Sequence, residues 1–339
     1  MRIVVDVMGG DHGCEVVVHG AKLALDNYTD ISELYLVGNQ AEIESACQRV
    51  SLKDGRVQVV HATQVVTMED KPVDALRKKK DSSILRAVDL LKEGKAEALV
   101  SPGNTGGIVA ASAIRLRTLE GVDRPALAAV MPSSNGEFVL IDAGANPDCK
   151  AIHFAQFAIM GSIYSREILK KPNPRVGILS NGTEEIKGTE LTREALKLCE
   201  QLNLEFIGYV EGHQLFKDEV DVVVTDGFVG NIVLKSCESL AKGIFGLLKS
   251  ELTANPIRKL GAMLAQGGFR TLKRRMDPEV YGGAPLLGVN GIVIKAHGSA
   301  RERAVMNAIR VARETIQHKL NFQITQDIAA VNRLVAAQP

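Results

Sequence analysis

Lys187 stands near the end of SNGTEEIKG, Ser180 to Gly188, a run of small and polar residues after the apolar stretch RVGIL. A lysine brings a mobile positive charge with three donors. Asn181 and Thr183 bring neutral donors and acceptors, and Gly182 lets a ligand approach the backbone. This set suits a small oxyanion such as phosphate. It also suits an ordinary strand-to-helix turn.

Four other stretches carry the same double reading. GNTGG, Gly103 to Gly107, follows ALVS and opens a helical run of small residues. The amides of Gly103, Asn104, Thr105 and Gly106 would face an anion there, or Asn104 or Thr105 would cap the helix. DAGAN sets Asp142 at a strand end, as ligand partner or as cap. DGFVGN runs from Asp226 to Asn231, and Asn231 falls in the first turn of a helix, where its amide binds or caps. KAHGS gathers Lys295, His297 and Ser299. A histidine beside glycine is more often structural than catalytic, and the adjacent lysine and serine move it toward chemistry.

Short valine- and isoleucine-rich runs must position these loops: RIVVDV, LYLV, ALVSP, FVLI, VGIL, DVVVT and GIVI. They alternate too little for a half-exposed sheet and read as strands covered on both faces. Helical stretches such as Ile84 to Lys92 and Thr189 to Leu202 separate them. This alternation predicts an α/β fold, a mostly parallel sheet with helices on both faces, whose strand-end loops gather along one edge. Residues 1–320 form one catalytic domain, with Pro172-Asn173-Pro174 as the candidate boundary between two lobes. Residues 321–339 form a C-terminal tail with a short helical pattern.

The segment Pro256 to Met276 differs in character. It holds six basic residues and no acidic ones. Ile257, Leu260 and Leu264 have helical spacing, as do Phe269, Leu272 and Met276, and Gly267-Gly268 divides the two halves. The pattern predicts a helical hairpin with an apolar stripe and a basic rim, fit for an anionic membrane surface. A solvated helix, a dimer contact or a docking site for an acidic protein would look alike.

Other chemistries leave no trace. There is no GxxxxGK[ST], no GxGxxG after a strand, no GxSxG and no HExxH. Five widely spaced cysteines, with no CxxC, predict neither a disulfide framework nor a zinc site. No metal ligand set and no organic cofactor are expected. With 41 basic and 40 acidic residues in 339, total charge does not predict a nucleic-acid partner. The first apolar run is too short for a signal-peptide core, so a cytoplasmic location is expected.

Taken in order, MGGD, GNTG, D-x-GAN, SNGTE-x-x-KG, DGFVGN, YGGA and KAHGS resemble the bacterial phosphate acyltransferases of phospholipid synthesis. The resemblance runs from Met1 to about Leu320. Ala143 in DAGAN and Gly107 in GNTGG are small-for-small variations on the pattern. The resemblance implies transfer of a long-chain acyl group from acyl carrier protein to inorganic phosphate. The acyl phosphate product feeds an integral-membrane glycerol-3-phosphate acyltransferase. It also implies an isopropylmalate-dehydrogenase-like fold shared with phosphate acetyltransferases, a homodimer, and peripheral attachment to the inner face of the cell membrane.

On that reading phosphate is the nucleophile, and the enzyme places it against the thioester and stabilises the oxyanion. Lys187 would anchor phosphate with Asn181, Gly182 and Thr183. Asn231 would orient phosphate or the carbonyl oxygen, and Gly103, Asn104, Thr105 and Gly106 would complete the cradle. His297, with Ser299 beside it, would protonate the leaving thiolate. Asp142 and Asp226 would orient these groups or cap helices. Leu260, Leu264, Phe269 and Leu272 would touch the membrane. Two alternatives remain, a short-chain phosphate acetyltransferase and a non-catalytic scaffold that binds membrane or RNA. Few aromatics, at 4%, weigh against RNA.

Overall fold

Runs dominated by branched aliphatic residues become the strands of one sheet, because such side chains fit a pleated surface buried on both faces. The computed structural model describes residues 1–336. Its strands are β1 (Arg2–Asp6), β2 (Glu33–Gly38), β3 (Val57–His61), β4 (Ala98–Ser101), β5 (Ala126–Pro132), β6 (Glu137–Ile141), β7 (Arg175–Leu179), β8 (Glu205–Val210), β9 (Val222–Val224), β10 (Ala284–Leu287) and β11 (Ile292–Lys295). They form an eleven-stranded sheet in the order β3-β2-β1-β4-β11-β10-β5-β6-β9-β7-β8. Seven of the ten pairings are parallel, as the alternating pattern predicts.

The three antiparallel pairings are consecutive, at β11-β10, β10-β5 and β5-β6. An odd number of reversals turns one half of the sheet against the other. Loops after β1, β4 and β11 therefore leave one edge, and loops after β6, β7 and β9 leave the opposite edge. This corrects the expectation of a single ligand-binding edge. The halves meet at β10 and β5, while residues 172–174 merely join helix Ala151–Glu167 to β7 inside one half.

Helix Gly227–Leu252 links the two edges. Asp226 starts it, its side chain accepting a hydrogen bond from the Val229 amide at 2.8 Å. At 26 residues it is about 39 Å long. Leu234 on this helix, Ala145 after β6, and Ile108 and Ala111 on helix Thr105–Arg115 share one apolar cluster. The two helices thus lie on the same face of the sheet.

The C-terminal segment is part of the body. Helix Leu320–Ala336 buries Leu320, Ile324, Ile328 and Val331 in the core formed around helix Ala151–Glu167. Residues 337–339 of the expected tail lie outside the described residues.

Helices Pro256–Leu264 and Gln266–Arg275 form the hairpin. The break falls at Ala265, and Gly267-Gly268 lies inside the second helix. Glycine disfavours a helix by about 1 kcal/mol without forbidding it. Neither helix has a buried residue. Leu260 is 59% exposed, Leu264 84% and Leu272 44%, whereas Phe269 is half-buried. Met263 joins Ile257 in the exposed stripe in its place.

Candidate active site

The edge that receives β6, β7 and β9 gathers the strongest candidates. Asp142 begins the DAGAN loop and is fully buried. Its carboxylate accepts from the amides of Leu127 and Gly144 at 3.1 Å, Ala145 at 2.8 Å and Asn146 at 2.7 Å, and from the Asn146 side chain at 2.7 Å. Burial pushes this carboxyl above the usual aspartate range, against the pull of those donors. The expected ligand contact is therefore corrected. Asp142 shapes a loop and has no oxygen left for substrate.

That loop seats the start of helix Gly227–Leu252. A Cβ on Gly227 would come 2.6 Å from the Asn146 amide nitrogen, so only glycine lets the helix approach so closely. Asn231, one turn on, lies beside Gly144. Asp226 already caps this helix, so Asn231 has no capping task. Among the described residues its side-chain amide has no hydrogen-bond partner and remains available to a ligand. Asp226 is correspondingly a cap rather than a ligand group.

SNGTEEIKG follows β7 at the same edge. Asn181 Oδ1 accepts from the Gly188 amide at 3.0 Å and clasps the two ends of the loop. Gly182 makes room for the Lys187 stem, since a Cβ there would meet Lys187 Cγ at 2.7 Å. Lys187 is half-buried, and among the described residues no carboxylate lies within ion-pair distance of its amine. Thr183 borders a different recess of about 420 Å³, lined also by Glu185, Glu200 and Glu219. Three carboxylates oppose an anion there, so Thr183 is a poor phosphate ligand on that side.

At the opposite edge the GNTGG loop is spent internally. Asn104 is almost fully buried, and its Oδ1 accepts from the Gly107 amide at 2.9 Å. Its Nδ2 donates to the carbonyls of Thr67 at 3.0 Å and Met68 at 3.2 Å. The Gly103 amide donates to Ser101 Oγ at 3.1 Å, and Gly106 packs against Pro72. Thr105 is half-buried at the first position of the helix that Asn104 caps. Asn104 thus caps a helix and ties down residues 67–68. The expected phosphate cradle of Gly103 to Gly106 together with Lys187 does not form on one edge.

Beneath this second edge lies a buried polar cluster in which Asp6 and Ser101, which the motifs did not single out, join Lys295 of KAHGS. Ser101 Oγ donates to Asp6 Oδ2 at 2.7 Å, and both residues are fully buried. Burial raises the Asp6 pKa. Lys295, almost fully buried, points its amine at the carbonyls of Pro102 and Ala296. Burial lowers its pKa to about 8. The available signal was a charge that closes each of two apolar runs, Asp6 in RIVVD and Lys295 in GIVIK.

His297 sits above this cluster, half its side chain exposed. Its Nδ1 accepts from the Ser299 amide at 3.2 Å and lies 2.8 Å from Ser299 Oγ. Accepting an amide at Nδ1 leaves Nε2 to carry the neutral ring's proton. Nε2 faces Glu238 Oε2, 3.7 Å away on the long helix. The facing imidazole holds the Glu238 carboxyl below the usual glutamate range. Ser299 orients the histidine, and Glu238 is a partner the motifs did not reveal. Among the described residues no three His, Cys, Asp or Glu side chains gather as a metal ion would require.

These features define an α/β fold of the phosphotransacylase class. A phosphotransacetylase from Streptococcus pyogenes superposes with a TM-score of 0.65 at 18% identity, covering 93% of this chain and 94% of that one. A branched-chain phosphotransacylase from Enterococcus faecalis gives 0.55 at 15% identity, covering 94% and 100%. The family described as "Fatty acid synthesis protein" matches residues 1–323, and the chain belongs to it. The phosphate acyltransferase of Desulfitobacterium hafniense strain DCB-2 is 47% identical over 339 residues, covering 100% of both chains. That of Akkermansia muciniphila is 44% identical over 340 residues, covering 98% of this chain and 97% of its own. The chain is an acyltransferase by family. Among the described residues no helix is long and apolar enough to cross a membrane.

Proposed function

We propose that this chain transfers a long-chain acyl group from the thioester of acyl carrier protein to inorganic phosphate. The observation that carries the reading is Asn231. One turn into the long helix, on the edge that Lys187 also occupies, it presents an amide unpartnered among the described residues. A phosphate oxygen attacks the thioester carbon, the carbonyl oxygen becomes an oxyanion, and the C–S bond breaks as the tetrahedral centre collapses. Lys187 offsets the charge of phosphate. Asn231 donates to phosphate or to the oxyanion, supported by the positive end of the helix dipole. The thiolate departs and takes a proton from water, because His297, the expected donor, meets Glu238 two turns along the helix from Asn231 and on the opposite edge.

Acyl phosphate then passes to a membrane acyltransferase that acylates glycerol 3-phosphate. The exposed apolar stripe of the hairpin, with Arg270, Lys273, Arg274 and Arg275 on its second helix, supports peripheral attachment to an anionic bilayer on the cytoplasmic side. Phe228, Ile232, Leu240 and Leu247 expose a second stripe along helix Gly227–Leu252, which supports a homodimer. The test is to incubate the purified chain with palmitoyl-carrier protein, with and without phosphate. Phosphate-dependent release of thiol together with palmitoyl phosphate supports the reading. Equal or faster turnover of acetyl-coenzyme A would favour a short-chain phosphate acetyltransferase, and no release with either donor would favour a scaffold.

A further inference from the structure

Along one face of helix Gly227–Leu252 runs a groove of about 920 Å³. Its walls come from Val130, Met131, Phe216, Leu234, Ala241 and Phe245. Cys237, Leu240, Lys242 and Ile244 of the helix line it, and so do Leu234, Glu238, Ala241 and Phe245, which lie at +3, +7, +10 and +14 from Asn231. The latter four therefore share the face on which Asn231 stands. The homodimer stripe named above is centred on the other side of the same helix, although its Leu240 also borders the groove. Glu238, the partner of His297, and Arg301 border the groove. Lys249 near the end of the helix, and Lys273 and Met276 at the base of the hairpin, border it too.

We infer that this groove holds the acyl chain, with the thioester carbon beside Asn231 and the terminal methyl directed toward the hairpin. The inference rests on the acyl-transfer reading above. Three observations commit the groove to this occupant. Its lining is predominantly apolar, so it suits a hydrocarbon. From Leu234 to Lys249 the helix rises about 22 Å, more than the roughly 15 Å that one leaflet's hydrocarbon spans in a bilayer core of ~30 Å. It is also continuous with the segment proposed to touch the bilayer, so a chain leaving by that mouth need not cross water.

A groove of fixed length sets chain preference. Each methylene that it buries strengthens binding about fourfold, until the end wall or the mouth is reached. Ala241, small and half-buried midway along, is the position where bulk would shorten it. Phe245, one turn further, is the position where truncation would lengthen it.

The experiment compares the parent chain with Ala241→Trp and Phe245→Ala on hexanoyl-, palmitoyl- and stearoyl-carrier protein. Ala241→Trp should lower kcat/KM for palmitoyl transfer at least tenfold and change hexanoyl transfer less than threefold. Phe245→Ala should raise the stearoyl-to-palmitoyl ratio, a gain that a misfolded variant cannot produce. Independently of turnover, palmitic acid should protect Cys237, which also lines the groove, from maleimide. Equal losses for every chain length, an unchanged stearoyl ratio and an unprotected Cys237 would overturn the assignment. So would an Ala241→Trp variant that becomes monomeric with its chain preference intact, since the groove would then be a subunit contact. If the parent acylates no phosphate at all while palmitic acid still protects Cys237, the acyl site stands and the proposed reaction falls.

Discussion

Gly230 of the long helix lies directly against the backbone of Asp142, where a Cβ would come within 2.0 Å of the Asp142 carbonyl oxygen. A backbone oxygen has no flexible end that could give way, so any side chain at residue 230 must push the helix off the DAGAN loop. Asn231 would move with it. Gly230→Ala should cost about 1–3 kcal/mol of stability by overpacking. It should also lower turnover at least tenfold at temperatures where the variant stays folded, because catalysis is sensitive to misplacement on the scale of 1 Å. Turnover equal to the parent's under those conditions would mean that the contact does not position the site.

Asp226 and Asn231 open the same helix with different tasks, so their variants should separate. Asp226→Ala removes the bond to the Val229 amide and should cost about 1 kcal/mol of stability. Asn231→Ala removes no such bond and should leave stability within about 0.5 kcal/mol of the parent. Its turnover, however, should fall by two orders of magnitude or more, the scale on which loss of one oxyanion donor is felt. Thermal unfolding and kcat measured on both variants decide it. An Asn231→Ala variant that is destabilised and fully active would remove the residue from the site.

Lys187 projects from a loop whose ends Asn181 clasps, so its amine can be removed without disturbing the body. Lys187→Ala should raise the KM for phosphate at least tenfold and leave the unfolding temperature within a degree or two of the parent's. Lys187→Arg should restore only part of the loss, since a planar fork replaces a compact charge. An unchanged phosphate dependence in Lys187→Ala would move the phosphate seat elsewhere.

The strands were legible because valine- and isoleucine-rich runs with both faces covered have few other uses. The loops were legible because their residue types repeat at strand ends. The two edges were not. Their separation depends on β10 and β11, which come from residues 284–295 yet insert between β4 and β5, and no local pattern encodes where a late hairpin inserts. Asn104 illustrates the consequence. Its type suits a ligand or a cap equally, and the carbonyls of Thr67 and Met68 that occupy its amide belong to a distant segment. The facing of His297 and Glu238 was hidden for the same reason: one lies on a loop and the other mid-helix, joined only by the packing of that helix across the sheet.

Lys295 gives a dependence on pH whose sign can be worked out. Burial lowers its pKa from the ordinary 10.5 to about 8. Below about pH 8 both folded and unfolded chains hold the proton, and the folded state bears the full cost of an ammonium kept from water. Between about pH 8 and 10.5 the folded amine is neutral while the unfolded one is charged. Unfolding then takes up a proton, so stability rises with pH across that window. Relative to Lys295→Met, the parent should gain about 3 kcal/mol over those pH units. Denaturant unfolding of both proteins at each pH measures the difference, which cancels the other groups that titrate there. A flat difference would mean that the amine is not held neutral.

On the proposed reading the hairpin joins location to chemistry. Acyl phosphate is reactive and its chain is poorly soluble, so release beside the bilayer limits its loss to water. Leu260 and Leu264 are, with Ile257, the exposed apolar residues of the first helix that the repeat selects, while Phe269 is partly covered by its surroundings. Each basic residue near an anionic surface contributes on the order of 1 kcal/mol, which salt weakens. Apolar insertion adds a contribution that salt does not screen. Leu260→Glu with Leu264→Glu should therefore abolish vesicle binding even at low salt, where Arg270, Lys273, Arg274 and Arg275 still attract the surface. Replacing those four with glutamine should leave binding that responds less to salt, since only Arg258 and Lys259 of the hairpin's basic residues remain. Neither set touches Lys187 or Asn231, so transfer to phosphate in solution should persist in the first variant. Sedimentation with anionic and neutral vesicles, paired with thiol release, measures both properties. If the double glutamate variant binds anionic vesicles as tightly as the parent, the hairpin is not the anchor. If it loses its partner subunit as well as the vesicles, the stripe was a contact between copies.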